Sequence, residues 1–194
     1  MRRVCVFCGS SAGTHAAHVD AVARLGHEIA TRGIELVFGG GAVGLMGVVA
    51  DAALAAGGHV IGVIPHAMMA RELAHRSLPD LRVVASMHER KAMMAGLSDG
   101  FVAAPGGFGT FEELCEAVTW TQLGLHRKRC GLLNVDGFYD PLLALMQRAS
   151  DDGFIRPASL DILVNDVDPA RLLDRLGEPI RVAEPIWLRD IEET

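Results

Sequence analysis

Seven short, uniformly apolar runs, spaced by segments with helical periodicity, constrain this chain more than any other feature. The runs cover residues 4–8, 34–38, 59–64, 81–85, 100–104, 131–135 and 161–164. They do not alternate apolar with polar residues, as a half-solvated strand would. Strands of this kind are buried on both faces, which is the condition of a parallel sheet covered by helices. Between the first two runs, Val19, Val22, Ala23, Leu25 and Ile29 recur at helical spacing, and Gly33 closes that helix. Further helices are expected over 44–56, from Met87 onward, and over 110–123, 140–150 and 168–176. The last has Asp168 as its cap and Pro169 at its first position. The expected fold class is α/β: a doubly wound parallel sheet of about seven strands with helices on both faces. Residues 66–80 read as irregular, a loop or short helix bordering a pocket. The stretch from Pro179 onward has no period, and Pro185, Ile186 and Trp187 are expected to pack on the body or on a partner.

The fifth run leads into Pro105-Gly106-Gly107-Phe108-Gly109-Thr110-Phe111-Glu112-Glu113. The order is strand, glycine turn, helix. Three glycines in four positions leave backbone amides uncovered at a helix N-terminus, where the helix dipole is positive, and this makes an anion site, most often for phosphate. Thr110 is expected to cap the helix and to offer a hydroxyl. Glu113 follows one turn later. A bare glycine turn with two acidic residues in a first helical turn would account for less of the pattern.

A chain of 194 residues, half of them hydrophobic, suits one globular domain over 1–194. The net charge of −6, without a basic tail, argues against duplex nucleic acid or an anionic membrane as the main partner. Positive charge at a phosphate site must therefore be local. The first apolar run breaks at Gly9-Ser10-Ser11, too early for a signal-peptide core, and no stretch is long enough to span a bilayer. A cytoplasmic location is expected. Cys5 and Cys8 form a C-x-x-C, but no second Cys pair or clear His pair completes a metal site, so buried reduced thiols are expected. His15 and His18 share a helix face without a third ligand and read as solvated.

A second glycine-rich turn, Gly39-Gly40-Gly41 with Gly44 and Gly47, departs from the G-x-G-x-x-G spacing of a dinucleotide fingerprint. It fits close backbone approach, to a ligand or between turns. Arg90 and Lys91 lie near the start of a helix, where cations oppose the dipole. Binding an anion would give them a reason to be there; a solvated face is the alternative. The ends of the strands at Gly9-Ser10, Gly39–Gly41, Met87–Lys91 and Gly106–Thr110 are expected to converge on one edge of the sheet, around a pocket for a phosphorylated small molecule.

Pro105-Gly106-Gly107-x-Gly109-Thr110-x-x-Glu113, with Met87-His88-x-Arg90-Lys91 upstream, resembles the Lonely Guy family. The likeness runs from residues 6–11 through 39–47 to Thr119-Trp120, and on through Asn134-x-x-Gly137-Phe138-Tyr139. These enzymes are cytokinin riboside 5′-monophosphate phosphoribohydrolases, long labelled possible lysine decarboxylases. The resemblance implies a Rossmann-like fold, usually dimeric. It also implies hydrolysis of the N-glycosidic bond of a nucleoside 5′-monophosphate to free base and ribose 5-phosphate, with no cofactor and no metal. Arg90 and Glu113 match the family's catalytic pair. Ser10, Glu72, Arg90, Lys91, Gly106, Gly107, Phe108, Gly109, Thr110, Phe111, Glu112 and Thr119 are the expected substrate-binding positions.

The chemistry is compatible with these residues. Glycosidic cleavage develops positive charge on the sugar, which a carboxylate such as Glu113 can stabilise while it orients water. Decarboxylation would call for pyridoxal phosphate on a lysine. The chain has only Lys91 and Lys128, and Lys91 sits in the Arg-Lys pair that the nucleotide reading already uses. The rival reading is a non-catalytic nucleotide-binding or carrier protein. Such a protein would not need Glu113, whose charge repels phosphate.

Overall fold

The computed structural model describes residues 1–69 and 74–180. Seven strands form one all-parallel sheet: β1 (Arg3–Phe7), β2 (Glu35–Phe38), β3 (Val60–Pro65), β4 (Asp80–Val84), β5 (Gly100–Ala103), β6 (Cys130–Leu133) and β7 (Leu163–Asp166). Their spatial order is β4-β3-β2-β1-β5-β6-β7. The helices are α1 (Ala16–Thr31), α2 (Gly44–Ala55), α3 (Met87–Leu97), α4 (Phe108–Gln122), α5 (Asp140–Asp151), α6 (Pro157–Leu160) and α7 (Pro169–Leu176).

Strand side chains alternate between two buried layers. Val4 and Val6 of β1 join the layer under α1, α2 and α7, while Cys5 and Phe7 join the layer under α3, α4 and α5. Both faces are thus covered, as the unbroken apolar runs require. The two cysteines of the C-x-x-C fall into different layers, Cys5 into one and Cys8 into the other. Both are free and buried, and burial raises both thiols well above their ordinary value, which makes them poor nucleophiles.

Several boundaries shift by one or two residues from the sequence reading. The seventh strand starts at Leu163 rather than at 161, because Pro157 opens the four-residue α6, which ends at Leu160. Residues 66–80 hold a 3-10 turn at His66–Met68 and an isolated bridge between Ala74 and Gly41. Pro185, Ile186 and Trp187 lie outside the described residues. No described helix is long and apolar enough to cross a membrane.

Candidate active site

β1 and β5 are neighbours, yet the chain leaves them toward opposite faces, β1 into α1 and β5 into α4. The gap between these exits is the switch-point crevice where open α/β sheets bind ligands. Its inner wall is backbone. The Gly9 N–H donates to the Pro105 carbonyl at 3.0 Å, and the Ala104 N–H donates to the Phe7 carbonyl at 2.9 Å. From the third side, the buried Tyr139 hydroxyl donates to the Ala104 carbonyl at 2.7 Å. Tyr139 is held in turn by the Asn134 side chain, which accepts from its N–H at 2.7 Å and donates to Asp140 at 2.7 Å. This network explains the Asn134 to Tyr139 pattern: it fixes the glycine turn after β5.

α4 starts at Phe108, with Gly107 as its N-cap, two residues earlier than the sequence reading had it. Thr110 is therefore not the cap. It is the third residue of the helix, 3% exposed. A Cβ on Gly106 would come within 2.1 Å of the Thr110 hydroxyl oxygen. Because Gly107 has no side chain, the first-turn amides of Phe108, Gly109 and Thr110 have no acceptor among the described residues. The first helical bond is from Phe111 N–H to the Gly107 carbonyl. Open amides at a helix N-terminus are the arrangement that suits an anion.

Beside them lies a cleft of about 580 Å³, lined among others by Ser10, Ser11, His15, His18, Gly106 and Phe138. The solvated reading of the two histidines holds in that His15 is exposed and His18 is half-buried, but both line this cleft. Their rings stand 5.5 Å apart, and His18 meets Phe138 edge-on at 5.7 Å.

Arg90 and Glu113 do not line this cleft. They reach the same region from the α3/α4 face of the sheet. Arg90, 6% exposed, donates from Nε to the Val63 carbonyl and from Nη2 to the Gly39 carbonyl, each at 3.1 Å. It thereby ties together the ends of β2 and β3. The turn that supplies Gly39 is pinned one residue further on, where the His75 N–H donates to the Gly40 carbonyl at 2.9 Å. The His75 ring sits between Asp51 at 2.9 Å and Ser77 at 3.1 Å. Arg90 and Glu113 flank one point in the fold. After burial, the Glu113 carboxylate is the next cause raising the Cys5 thiol, and the Arg90 charge opposes it. Glu113 also acts on Cys8, again second to burial.

Lys91 is committed elsewhere. Its ammonium pairs with Glu112 and, at 3.0 Å, with Glu116. Burial alone would lower its pKa, but the two carboxylates outweigh burial and raise it. The other lysine, Lys128, donates to the Ala95 carbonyl at 2.7 Å. Neither lines the cleft. The capping of α3 was also missed in the sequence: Ser86 accepts from Glu89 N–H at 3.1 Å, and Glu89 accepts from Ala85 N–H at 2.7 Å. Ser86 followed three residues later by Glu89 was the available signal.

The other expected positions divide clearly. Ser10, Gly106 and Gly107 line the cleft, and Gly109 lies in the open first turn of α4. Phe108 is 93% exposed beside them. Phe111 turns inward, 6.3 Å from the Phe138 ring and 6.5 Å from that of Tyr139. Thr119 bonds the Cys115 carbonyl at 2.7 Å, roughly 13 Å along α4 from Thr110 at 1.5 Å of rise per residue. Glu72 lies outside the described residues.

The fold and the open amides define the class: a doubly wound α/β protein with an open helix N-terminus at its switch point, an arrangement that suits an anionic ligand. The chain belongs to the family described as possible lysine decarboxylase, whose pattern matches residues 46–176, the family that also carries the Lonely Guy name. A probable cytokinin riboside 5′-monophosphate phosphoribohydrolase of Oryza sativa subsp. japonica is 51% identical over 177 residues, covering 91% of this chain and 72% of the relative. A cytokinin riboside 5′-monophosphate phosphoribohydrolase of Arabidopsis thaliana is 50% identical, covering 91% of this chain and 82% of the relative. Among solved structures, the molybdenum cofactor carrier protein of Chlamydomonas reinhardtii shares the fold, with a TM-score of 0.67 at 22% identity over 90% of this chain and 96% of that one.

Proposed function

We propose that this protein is a hydrolase acting on N-glycosyl bonds, a cytokinin riboside 5′-monophosphate phosphoribohydrolase. It releases free cytokinin base, or adenine, and ribose 5-phosphate. The observation that carries this reading is the open N-terminus of α4 at the switch point, in a chain about half identical to enzymes of that name. The phosphate sits on the amides of residues 108–110, with Ser10 and Gly106 beside it. Glu113, one turn along α4, then faces the sugar and stabilises the positive charge that develops at its anomeric carbon as the bond to the base breaks. The carboxylate also orients the attacking water: as the water oxygen bonds the anomeric carbon, the water gives up one proton, and the base, departing with the electron pair of the broken C–N bond, takes up one proton at the freed ring nitrogen. Arg90, fixed by two carbonyls, holds the reacting end of the nucleotide against Glu113. Binding energy from the phosphate is spent on aligning the sugar.

Glu72, Lys91, Phe108, Glu112 and Thr119 remain proposed contacts on the strength of the resemblance. For Lys91 and Glu112 such contact requires opening of their mutual ion pair. A homodimer belongs to the same proposal, supported by the exposed Met87 on α3 and Phe108 on α4 and by Leu123 at the end of α4. So do a single domain over 1–194 and a cytoplasmic location, the latter supported by the free thiols of Cys5, Cys8 and Cys130. The test is product analysis with AMP and with isopentenyladenosine 5′-monophosphate side by side. Free base from either supports the hydrolase. Both substrates intact, with a thermal shift showing that they bind, would replace it with a nucleotide carrier.

A further inference from the structure

The net charge is −6, so an anion site needs a local source of positive charge. The two cations expected there are occupied. Arg90 gives Nε and Nη2 to the Val63 and Gly39 carbonyls and lies outside the cleft, toward the end of the nucleotide assigned to Glu113, and Lys91 is paired with Glu112 and Glu116. Among the described residues lining the cleft, His15 and His18 are the only side chains that can carry positive charge. We propose that these two imidazoles form the cationic wall of the phosphate subsite and select a phosphorylated nucleoside over a bare one. This rests on the phosphoribohydrolase reading.

Several features support the assignment. His15 is the N-cap residue of α1, a sixteen-residue helix with no side-chain cap, so its ring stands where the helix dipole also favours an anion. The opposite wall is Gly106 and Gly107, beside the open amides of α4. A phosphate in the cleft would therefore meet two helix N-termini and two imidazoles. With the rings 5.5 Å apart, one dianion set across them can meet both. Asp136 is the acidic group lining the cleft, and the turn after β1 offers only Ser10, Ser11 and Thr14. The Asp136 carboxylate repels a phosphate, and positive charge on the imidazoles offsets that repulsion. Histidine changes charge in the neutral range, so affinity for a dianion rises toward acid pH.

The experiment measures KM and kcat for AMP, and competitive inhibition by sulfate, from pH 5.5 to 8. Sulfate stays dianionic throughout, so any pH dependence of its inhibition belongs to the protein. Wild type is compared with His15→Gln, His18→Gln, the double variant and His18→Phe, which keeps an aromatic ring against Phe138 without its charge. The double variant is expected to raise KM about tenfold, the loss falling on KM rather than kcat, and to flatten the pH dependence of sulfate inhibition. His18→Phe should behave like His18→Gln. If it behaves like wild type, or if sulfate inhibition is unchanged in the double variant, the assignment is overturned. Sulfate and AMP binding by calorimetry reads the same differences without turnover. Failure of the hydrolase reading would show instead as a wild type that binds and releases no base.

Discussion

The chain has two glycine-rich turns at the same edge of one sheet, and they use their glycines for opposite ends. In the turn after β2, the glycines serve the protein itself. Gly44 has a φ of +60°, and a Cβ there would lie 2.3 Å from the Ser10 carbonyl carbon; one on Gly47 would lie 2.3 Å from the Ala42 carbonyl oxygen. That turn is closed by contact with its neighbour: Leu45 N–H donates to the Gly9 carbonyl at 3.0 Å. In the turn after β5, Gly107 and Gly109 have no positive φ, and a Cβ on either would meet nothing within 4 Å. Neither backbone geometry nor internal packing calls for glycine at those two positions. Both positions are left open to approach from outside the chain. Sequence alone presents both turns as alike; only the space around each Cβ separates a glycine that packing requires from one that packing leaves open.

The largest expected effect tests what the open turn is for. Glu113→Gln should keep nucleotide binding and cut turnover about 10²–10⁴-fold, as removal of a positioned carboxylate does. Turnover near wild type would mean that the turn positions the sugar against some other group. Next, Gly44→Ala should destabilise the fold by about 3 kcal/mol, because it adds a backbone clash to a left-handed conformation. Thermal melting would show this as a drop of roughly 6–12 °C for a chain this size. Gly109→Ala should do the reverse. It gains roughly 0.5–1 kcal/mol of helix propensity, so the melting temperature rises slightly, while KM for AMP rises about tenfold. A variant that loses both stability and affinity would erase the distinction between the two turns.

Tyr139→Phe should cost about 1–2 kcal/mol by removing the donor to the Ala104 carbonyl, and should loosen the turn after β5 without touching that after β2. The smallest effect is a pH dependence far from both turns. Burial first, and then the Lys128 charge, push the His126 pKa down to about 4, and its Nε2 is buried without a partner among the described residues. The fold therefore holds this ring neutral. Its contribution to stability is complete above the ordinary imidazole range near 6.5 and is lost as pH falls toward 4. In His126→Leu, melting temperature should fall less steeply over that window than in wild type.

Fold class was legible because unbroken apolar runs have few alternatives to a parallel sheet between helices. The glycine turn was legible through its spacing; the pairing of Arg90 with Glu113 was an expectation carried by the family resemblance alone. What sequence left out was set by contacts distant in the chain. Thr110 looks like a cap beside Gly109, but the turn winds into helix two residues sooner, and Gly107 takes that place. Lys91 looks available for phosphate until α3 and α4 pack and bring Glu112 and Glu116 to it. His15 is exposed and His18 half-buried, as expected, but nothing near them in sequence predicts Phe138 or Gly106 as neighbours across the cleft. Tyr139 gave no local sign of its bond to Ala104.

The pairing of β1 with β5 has a consequence for how the protein is made. Val4 lies against Gly100 and Phe7 against Ala103, so the innermost strand waits for a partner synthesised near the middle of the chain. The β1–β2–β3 half can assemble early from nearer segments, but closing the loop to β5 carries a larger entropic cost and comes late. Until then the first half presents a central strand as a bare edge, open to pairing with other chains. The crevice and the covering of that edge are created by the same event, so a nascent or truncated chain lacking β5 would be both inactive and adhesive.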